Sequence, residues 1–321
     1  MWSSIVLKSL FGGPSRSRWL PVLSMGSGIL LGLFLSYARG FVLSPVKAPD
    51  SVLKKPQDAI RFVTFNVAHG RGLALYQGLV DSDHIQHNLE QLGAYLKRLD
   101  ADVVGLQEID KDCNWSGNIN QLKVIAREAG FPYQEFGINN RNGGDYRLFY
   151  GNAILSRYPI LDFQNHPFGD ASVAEKGFLT AELDVEGQRV TCVVTHLDPI
   201  RGSEREKQVK RMVDVIGEID TPVVVMGDFN CELDAESPMK TLCKELGLQI
   251  PRFERTERDT YWQLLNKTID FVFASDGIKY KGYRVGEAKL SDHHPVIADL
   301  VLPDGNGQES CEKGAKDDQA Q

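Results

Sequence analysis

Short apolar runs alternate with amphipathic stretches between residues 59 and 302. The segments IRFVTF (60–65), DVVGLQ (102–107), GNAILS (151–156), RVTCVVTHL (189–197), TPVVVMGDF (221–229), TIDFVFA (268–274) and HPVIADLVL (294–302) read as strands. Between them, Ile85, Leu89, Leu92, Leu96 and Leu99 keep the spacing of one helical face. Ser203 and Glu206 predict a capping box ahead of Val209, Met212, Val213 and Ile216. Ser237-Pro238 predicts a cap followed by Pro at the first helical position, with Leu242 and Leu246 one turn apart. Strands with helices between them imply an α/β domain, its sheets buried and its helices on the outer faces.

Both flanks differ from this core. Residues 19–38 carry no charge, and a bilayer needs roughly 20 apolar residues to be spanned. Lys8, Arg16 and Arg18 precede the segment, and no acidic residue occurs before Asp50. Residues 1–39 are therefore expected to be a membrane anchor, with the following chain outside the cytoplasm. A cleaved signal ending near Ser36-Tyr37-Ala38 and an organellar transit peptide are the other readings. Residues 40–58, with Pro45, Pro49 and Pro56, read as a linker, and the polar stretch 303–321 as a disordered tail. The folded unit is thus 59–302.

Composition narrows the function only a little. The net charge is -7 and no long basic run occurs, so no nucleic-acid footprint is visible. Five cysteines without CxxC spacing indicate neither a disulfide framework nor a zinc knuckle.

The positions of the polar residues say more. The first strand ends at Asn66, the second at Gln107-Glu108, the fourth at Thr195-His196 and the fifth at Asp228-Phe229-Asn230. Asp270 lies inside the sixth, where a carboxylate needs a partner to offset burial. Asp292-His293 precedes the last. Polar groups at strand ends along one rim are the usual geometry of an α/β active site. Carboxylates and amides offer hard oxygen ligands, which suit Mg²⁺, with Mn²⁺ as a substitute, and not zinc. A histidine oriented by a carboxylate supplies a general base near neutral pH. Together these suffice for metal-assisted phosphoester hydrolysis.

The motifs TFN (64–66), LQEID (106–110), GNAILSRYP (151–159), THLD (195–198), GDFN (227–230), IDFVF (269–273) and SDHHPV (291–296) resemble, in order, those of the endonuclease/exonuclease/phosphatase superfamily. The resemblance implies a four-layer sandwich of two mixed sheets face to face with helices outside. It implies that Glu108 is the principal metal ligand, with Asn66 and Asp292 near the same ion. Asp228 and Asn230 would orient the attacking water and hold the phosphate. His293 would be the general base with Asp270 as its partner, and His196 would contact the phosphate and assist the leaving group. His294 would only flank the site.

Histidine at 196 resembles sphingomyelinases and pancreatic-type deoxyribonucleases. Abasic-site endonucleases usually have tyrosine there, and Asp where this chain has Ala68. Lys176 stands where many relatives have arginine, keeping the charge without the bidentate fork. Substrate contacts are expected from Arg141 and Arg147 in NNRNGGDYR (139–147), from Asn152 and Lys176, and from Trp262 in RFERTERDTYW (252–262). The basic helix from Arg201 to Arg211 interleaves Glu204 and Glu206 and reads as a solvated face.

The expected function is hydrolysis of a phosphoester, a lipid headgroup or another small phosphodiester, by an exported or membrane-tethered enzyme anchored through residues 19–38. A secreted or anchored nuclease using the same residues is the rival. A non-catalytic binding protein on the same fold is disfavoured, because every expected catalytic position is filled. No protein partner is implied.

Overall fold

Strand β1 (Ile60–Asn66) is buried along almost its whole length, because it lies inside a sheet with both faces covered. The computed structural model describes residues 54–169, 175–234, 237–251, 259–261 and 266–303. All fall within one unit, Pro45–Gln321. The other strands are β2 (Val103–Cys113), β3 (Tyr133–Asn142), β4 (Leu148–Ser156), β5 (Ile160–Pro167), β6 (Gly177–Val185), β7 (Gln188–His196), β8 (Val223–Asp228), β9 (Leu248–Gln249), β10 (Asp270–Ser275), β11 (Lys279–Val285) and β12 (Val296–Val301). The helices are α1 (Ser82–Arg98), α2 (Gln121–Ala129), α3 (Gly202–Ile216) and α4 (Pro238–Glu245).

Two six-stranded sheets result, in the orders β11-β12-β1-β2-β4-β3 and β5-β6-β7-β8-β10-β9. The pairs β1/β2 and β7/β8 are parallel and the others antiparallel, so both sheets are mixed. The sheets meet face to face through Phe62, Val103 and Ile154 on one side and Leu179, Val194 and Met226 on the other. A Cβ on Gly105 would lie 2.9 Å from Val194 Cγ2, so the close approach of the sheets there requires glycine. Helices α1 and α2 cover the outer face of the first sheet through Leu89, Leu92, Leu96 and Ile125. Helices α3 and α4 cover the second through Val209, Met212, Met239 and Leu242. This is the expected four-layer sandwich.

Local signals held at some helix starts and failed at one. Ser237 caps α4, its side chain accepting from Met239 N, with Pro238 at the first position. The predicted capping box at Ser203 and Glu206 does not form. The helix begins earlier, with Arg201 at the cap position and no side-chain cap bond. Asp198 Oδ1 accepts from Ile200 N at 2.8 Å and Arg201 N at 2.7 Å, a turn that leads directly into the helix, so Ser203 already lies in the first turn. Helix α3 does present a solvated charged face, with Glu204–Lys207 and Lys210–Asp214 pairs. NNRNGGDYR is only partly a loop, since Asn139–Asn142 complete β3. Lys55, at the end of the predicted linker, pairs with Asp102 at 2.8 Å.

The anchor segment 19–38 and the tail 304–321 lie outside the described residues. Among the described residues no helix is long and apolar enough to cross a membrane.

Arg61 is fully buried in β1 beside its register partner Asp299, with Nε–Oδ1 2.7 Å and Nη2–Oδ2 3.1 Å. Arg61→Met is expected to destabilise the domain by about 3–5 kcal/mol, because it leaves a buried carboxylate with half its partners. Urea unfolding measures this.

Candidate active site

The site follows from strand register. In the second sheet Gly177 lies opposite His196, His196 beside Asp228, and Asp228 opposite Asp270, one rank across β6, β7, β8 and β10. In the first sheet Asn66 is paired with Gln107, at the matching end of β1 and β2. The register of β2 against β4 then shifts between Leu106 and Ile109, and Glu108 adopts φ +50°. A bulge of this kind re-aims a side chain at a cost in local strain. Here it delivers the Glu108 carboxylate into a ring of nitrogens: Lys176 Nζ at 3.5 Å, His69 Nε2 at 3.5 Å, Arg71 Nη1 at 3.8 Å and His196 Nε2 at 3.9 Å. Burial alone would raise the Glu108 pKa. The neighbouring nitrogens, the Lys176 ammonium foremost, hold it well below the usual carboxylate range.

His293 Nδ1 lies 2.9 Å from Asp270 Oδ2, and its Nε2 lies 3.8 Å from Asp228 Oδ2. Both carboxylates are fully buried. Burial works against the imidazolium, but Asp270 and Asp228 overcome it and push the His293 pKa up to about 10. Asp228 is itself raised by burial and by Asp270. Asn66 Nδ2 donates to Asp228 Oδ2 at 3.0 Å. Asn230, at φ +51°, donates its backbone N–H to Asp228 Oδ1 and its side-chain N–H to Leu197 O, each at 2.9 Å.

His196 differs from His293. Lys176 Nζ stands 3.3 Å from its Nδ1, and Nε2 points to Asp228 Oδ2 at 3.5 Å. An ammonium can only donate, so Nδ1 accepts and the ring proton sits on Nε2. Burial and Lys176 lower the His196 pKa to about 4.

The two histidines make the metal-free domain pH-sensitive in opposite ways. Between pH 6.5 and about 4 the unfolded chain protonates its His196 and the folded one does not, so stability is lost as pH falls. Between pH 6.5 and about 10 only the folded chain keeps the His293 proton, so stability is lost as pH rises. From these two groups, urea midpoints in EDTA are expected to peak near pH 6.5, falling at about pH 5 and about pH 9. A midpoint still rising at about pH 9 would contradict this.

The residues fit a divalent cation. Asp228, Asp270 and His293 offer ligand atoms within 4.8 Å of one another. Asp270 Oδ1 is buried without a hydrogen-bond partner among the described residues, which leaves a carboxylate oxygen open to a cation. Glu108 adds an ionised carboxylate with a partly exposed side chain.

Of the expected site residues, Glu108, Asn66, Asp228, Asp270, His196 and His293 come together, and Lys176 joins them as a neighbour of Glu108 and His196. Asp292 reaches the cluster through Arg71, whose Nη2 donates to its Oδ2 at 2.5 Å. Asn152 is buried and donates to Gly177 O at 2.8 Å, a strap between the sheets. Arg147 is exposed and pairs with Asp112 at 3.2 Å, and Arg141 is exposed near the end of β3. Trp262 lies outside the described residues. His294 is buried, its backbone N–H donating to Thr260 O.

Sequence reasoning missed His69, Arg71 and Asp110. The signal was a His and an Arg in AHGR, just beyond Asn66, and an Asp two residues past Glu108.

Residues 63–293 match the Endonuclease/Exonuclease/phosphatase family. The chain belongs to this family. It thereby joins a class of phosphoester hydrolases that generally depend on a divalent metal. It is similar to Uncharacterized protein YbhP of Escherichia coli (31% identical over 235 residues, 67% of this chain and 88% of that one). It is also similar to Protein cwh43 of Schizosaccharomyces pombe (26% over 216 residues, 65% of this chain), of whose length the match spans only 19%. Among solved structures, an endonuclease/exonuclease/phosphatase from Bacteroides vulgatus shares its fold (TM-score 0.61, 20% identical, covering 76% of this chain and 99% of that one). So does a mannosyl-6-phosphatase from Bacteroides thetaiotaomicron (TM-score 0.57, 18% identical, 76% and 100%).

Proposed function

We propose that this family member is a Mg²⁺-dependent phosphodiesterase or phosphatase, with Mn²⁺ as a substitute, in which His293 activates the attacking water. The observation that carries the reading is the buried His293–Asp270 pair at 2.9 Å, facing Asp228 in the same site as Glu108. A bound divalent cation, held by Glu108 with Asn66 and Asp292 near it, would polarise the phosphoryl oxygen and offset the carboxylates that keep His293 protonated.

The chain's own residues do the rest. Asp270 accepts from Nδ1–H and so fixes the tautomer of His293, leaving Nε2 to take a proton from water. Asp228 and Asn230 orient that water. His196, kept neutral with its proton on Nε2, donates a hydrogen bond to the phosphoryl group or to the leaving oxygen, which takes its proton from the His293 imidazolium or from solvent. Lys176 holds His196 in that tautomer and contributes positive charge beside the phosphate.

The net charge of -7 favours a small phosphoester or a lipid headgroup over a nucleic acid. Residues 19–38 support a protein tethered to a membrane or exported, with its catalytic domain outside the cytoplasm. The test is a panel of bis-p-nitrophenyl phosphate, p-nitrophenyl phosphate, mannose 6-phosphate, sphingomyelin and supercoiled plasmid. Metal-dependent turnover of a small ester or lipid supports the reading. Turnover of plasmid alone would replace it with the nuclease reading.

A further inference from the structure

The His69–Asp110 pair, beside Glu108, is unused by this mechanism. His69 lies in the short 3-10 turn Ala68–Gly70 at φ +54°. Left-handed backbone at a non-glycine residue persists only where its surroundings over-determine it. They do so here. His69 Nδ1 lies 2.7 Å from Oδ1 of Asp110, a fully buried carboxylate. Asp110 Oδ2 accepts from Trp115 Nε1 at 2.8 Å and Ser116 Oγ at 2.6 Å. Gln121 Nε2 donates to His69 O at 2.7 Å, and Gln121 Oε1 accepts from Asp110 N at 3.1 Å. The rings of Trp115 and Tyr150 meet the imidazole edge-on at 4.9 and 5.0 Å.

All of this fixes one orientation. A carboxylate oxygen accepts, so Nδ1 donates to Asp110 and Nε2 is the ring nitrogen left to face the site. That atom faces Glu108 Oε2 at 3.5 Å, and both side chains keep some exposure, 12% and 21%. Two neighbouring ligands of one cation, each roughly 2.1 Å from it, stand about 3 Å apart. The pair is therefore close to ligand spacing. A carboxylate on one imidazole nitrogen, with the other turned to a cation site, is the outer-shell arrangement that orients metal-binding histidines.

We propose that His69 Nε2, oriented by Asp110, is a ligand of the divalent cation that Glu108 holds, so that the site binds Mn²⁺ more tightly than Mg²⁺ although either ion can serve the reaction. The inference rests on the phosphoesterase reading only for the presence of a cation at Glu108. Mn²⁺, though also content with oxygen, accepts an imidazole nitrogen more readily than Mg²⁺, which dehydrates reluctantly and keeps to oxygen.

The test reads metal binding and not turnover. Mn²⁺ is titrated into the EDTA-treated protein by electron paramagnetic resonance, Mg²⁺ by calorimetry, and ¹⁴N couplings to bound Mn²⁺ are recorded by pulsed methods. Wild type is expected to bind Mn²⁺ at least about tenfold more tightly than Mg²⁺ and to show an imidazole coupling. His69→Ala should lose that coupling and about tenfold or more of Mn²⁺ affinity, with Mg²⁺ affinity changing much less. His293→Ala should keep the coupling. His69→Asn, whose side chain tolerates the left-handed backbone, repeats the experiment should the alanine variant unfold. A coupling that survives in both His69 variants, or equal losses for the two ions, overturns the proposal. Either result is independent of whether any phosphoester is hydrolysed, so the two readings fail separately.

Discussion

His293→Ala is expected to lower kcat for phosphoester hydrolysis by about 10³-fold, within the range for removal of a positioned general base. KM should change by no more than about threefold, since the ring acts on water and not on substrate binding. Asp270→Asn should come close to the same loss, because an amide in place of Oδ2 no longer enforces the Nδ1–H tautomer. The double variant should then be little worse than either single one, as for residues that act as a unit. Steady-state kinetics on the three variants, with circular dichroism to confirm folding, measure this. Additive losses in the double variant would show that the pair does not work as one device.

The second large effect is expected at Glu108. Glu108→Gln keeps the volume and removes the charge. Hydrolysis should fall by about 10³-fold or more, as for loss of the group that anchors a catalytic cation. Heat evolved on titrating Mg²⁺ or Mn²⁺ should nearly vanish. The metal-free protein should also lose stability, because Lys176, His196, His69 and Arg71 all converge on this carboxylate. The side chain is 21% exposed, so solvent screens part of the effect. A loss of about 1–3 kcal/mol in urea unfolding is expected. An unchanged metal titration would mean that the cation sits elsewhere, at Asp228, Asp270 and His293.

Much of this architecture was legible in the sequence, and the omissions share a physical cause. The seven expected strands all form. Of the five others, β3, β5, β9 and β11 are the four edges of the two sheets. Edge strands need only one neighbour and carry polar side chains that discourage further pairing, so ILDFQNHP and KYKGYRV lack an apolar run. Only β6, GFLTAELDV, is an interior strand, and its alternating pattern was readable. The capping box at Ser203 failed for a related reason. A motif of spacing alone cannot show that Asp198, five residues earlier, already turns the chain into the helix.

In the site, the residues that end strands were legible because strand ends collect at one rim. Asp270 was expected to need a partner, and His293 is that partner. What spacing could not supply was the bulge in β2. A regular strand would give Gln107 and Glu108 opposite faces and leave Asp110 on the face of Glu108. The shift between Leu106 and Ile109 sends Glu108 toward the nitrogens and buries Asp110 under His69. Lys176 was expected as a substrate contact, and what spacing could not show is that its neighbours are His196 and Glu108, a placement that depends on β6 lying next to β7.

These residues are proposed to hydrolyse a phosphoester with a divalent cation. The most direct measurement is release of p-nitrophenol from bis-p-nitrophenyl phosphate and p-nitrophenyl phosphate by the EDTA-treated full chain, before and after Mg²⁺ or Mn²⁺ is returned. Turnover absent in EDTA, restored by the cation and lost in His293→Ala is the predicted result. Turnover that persists without the cation, or is unchanged in His293→Ala, would contradict the account.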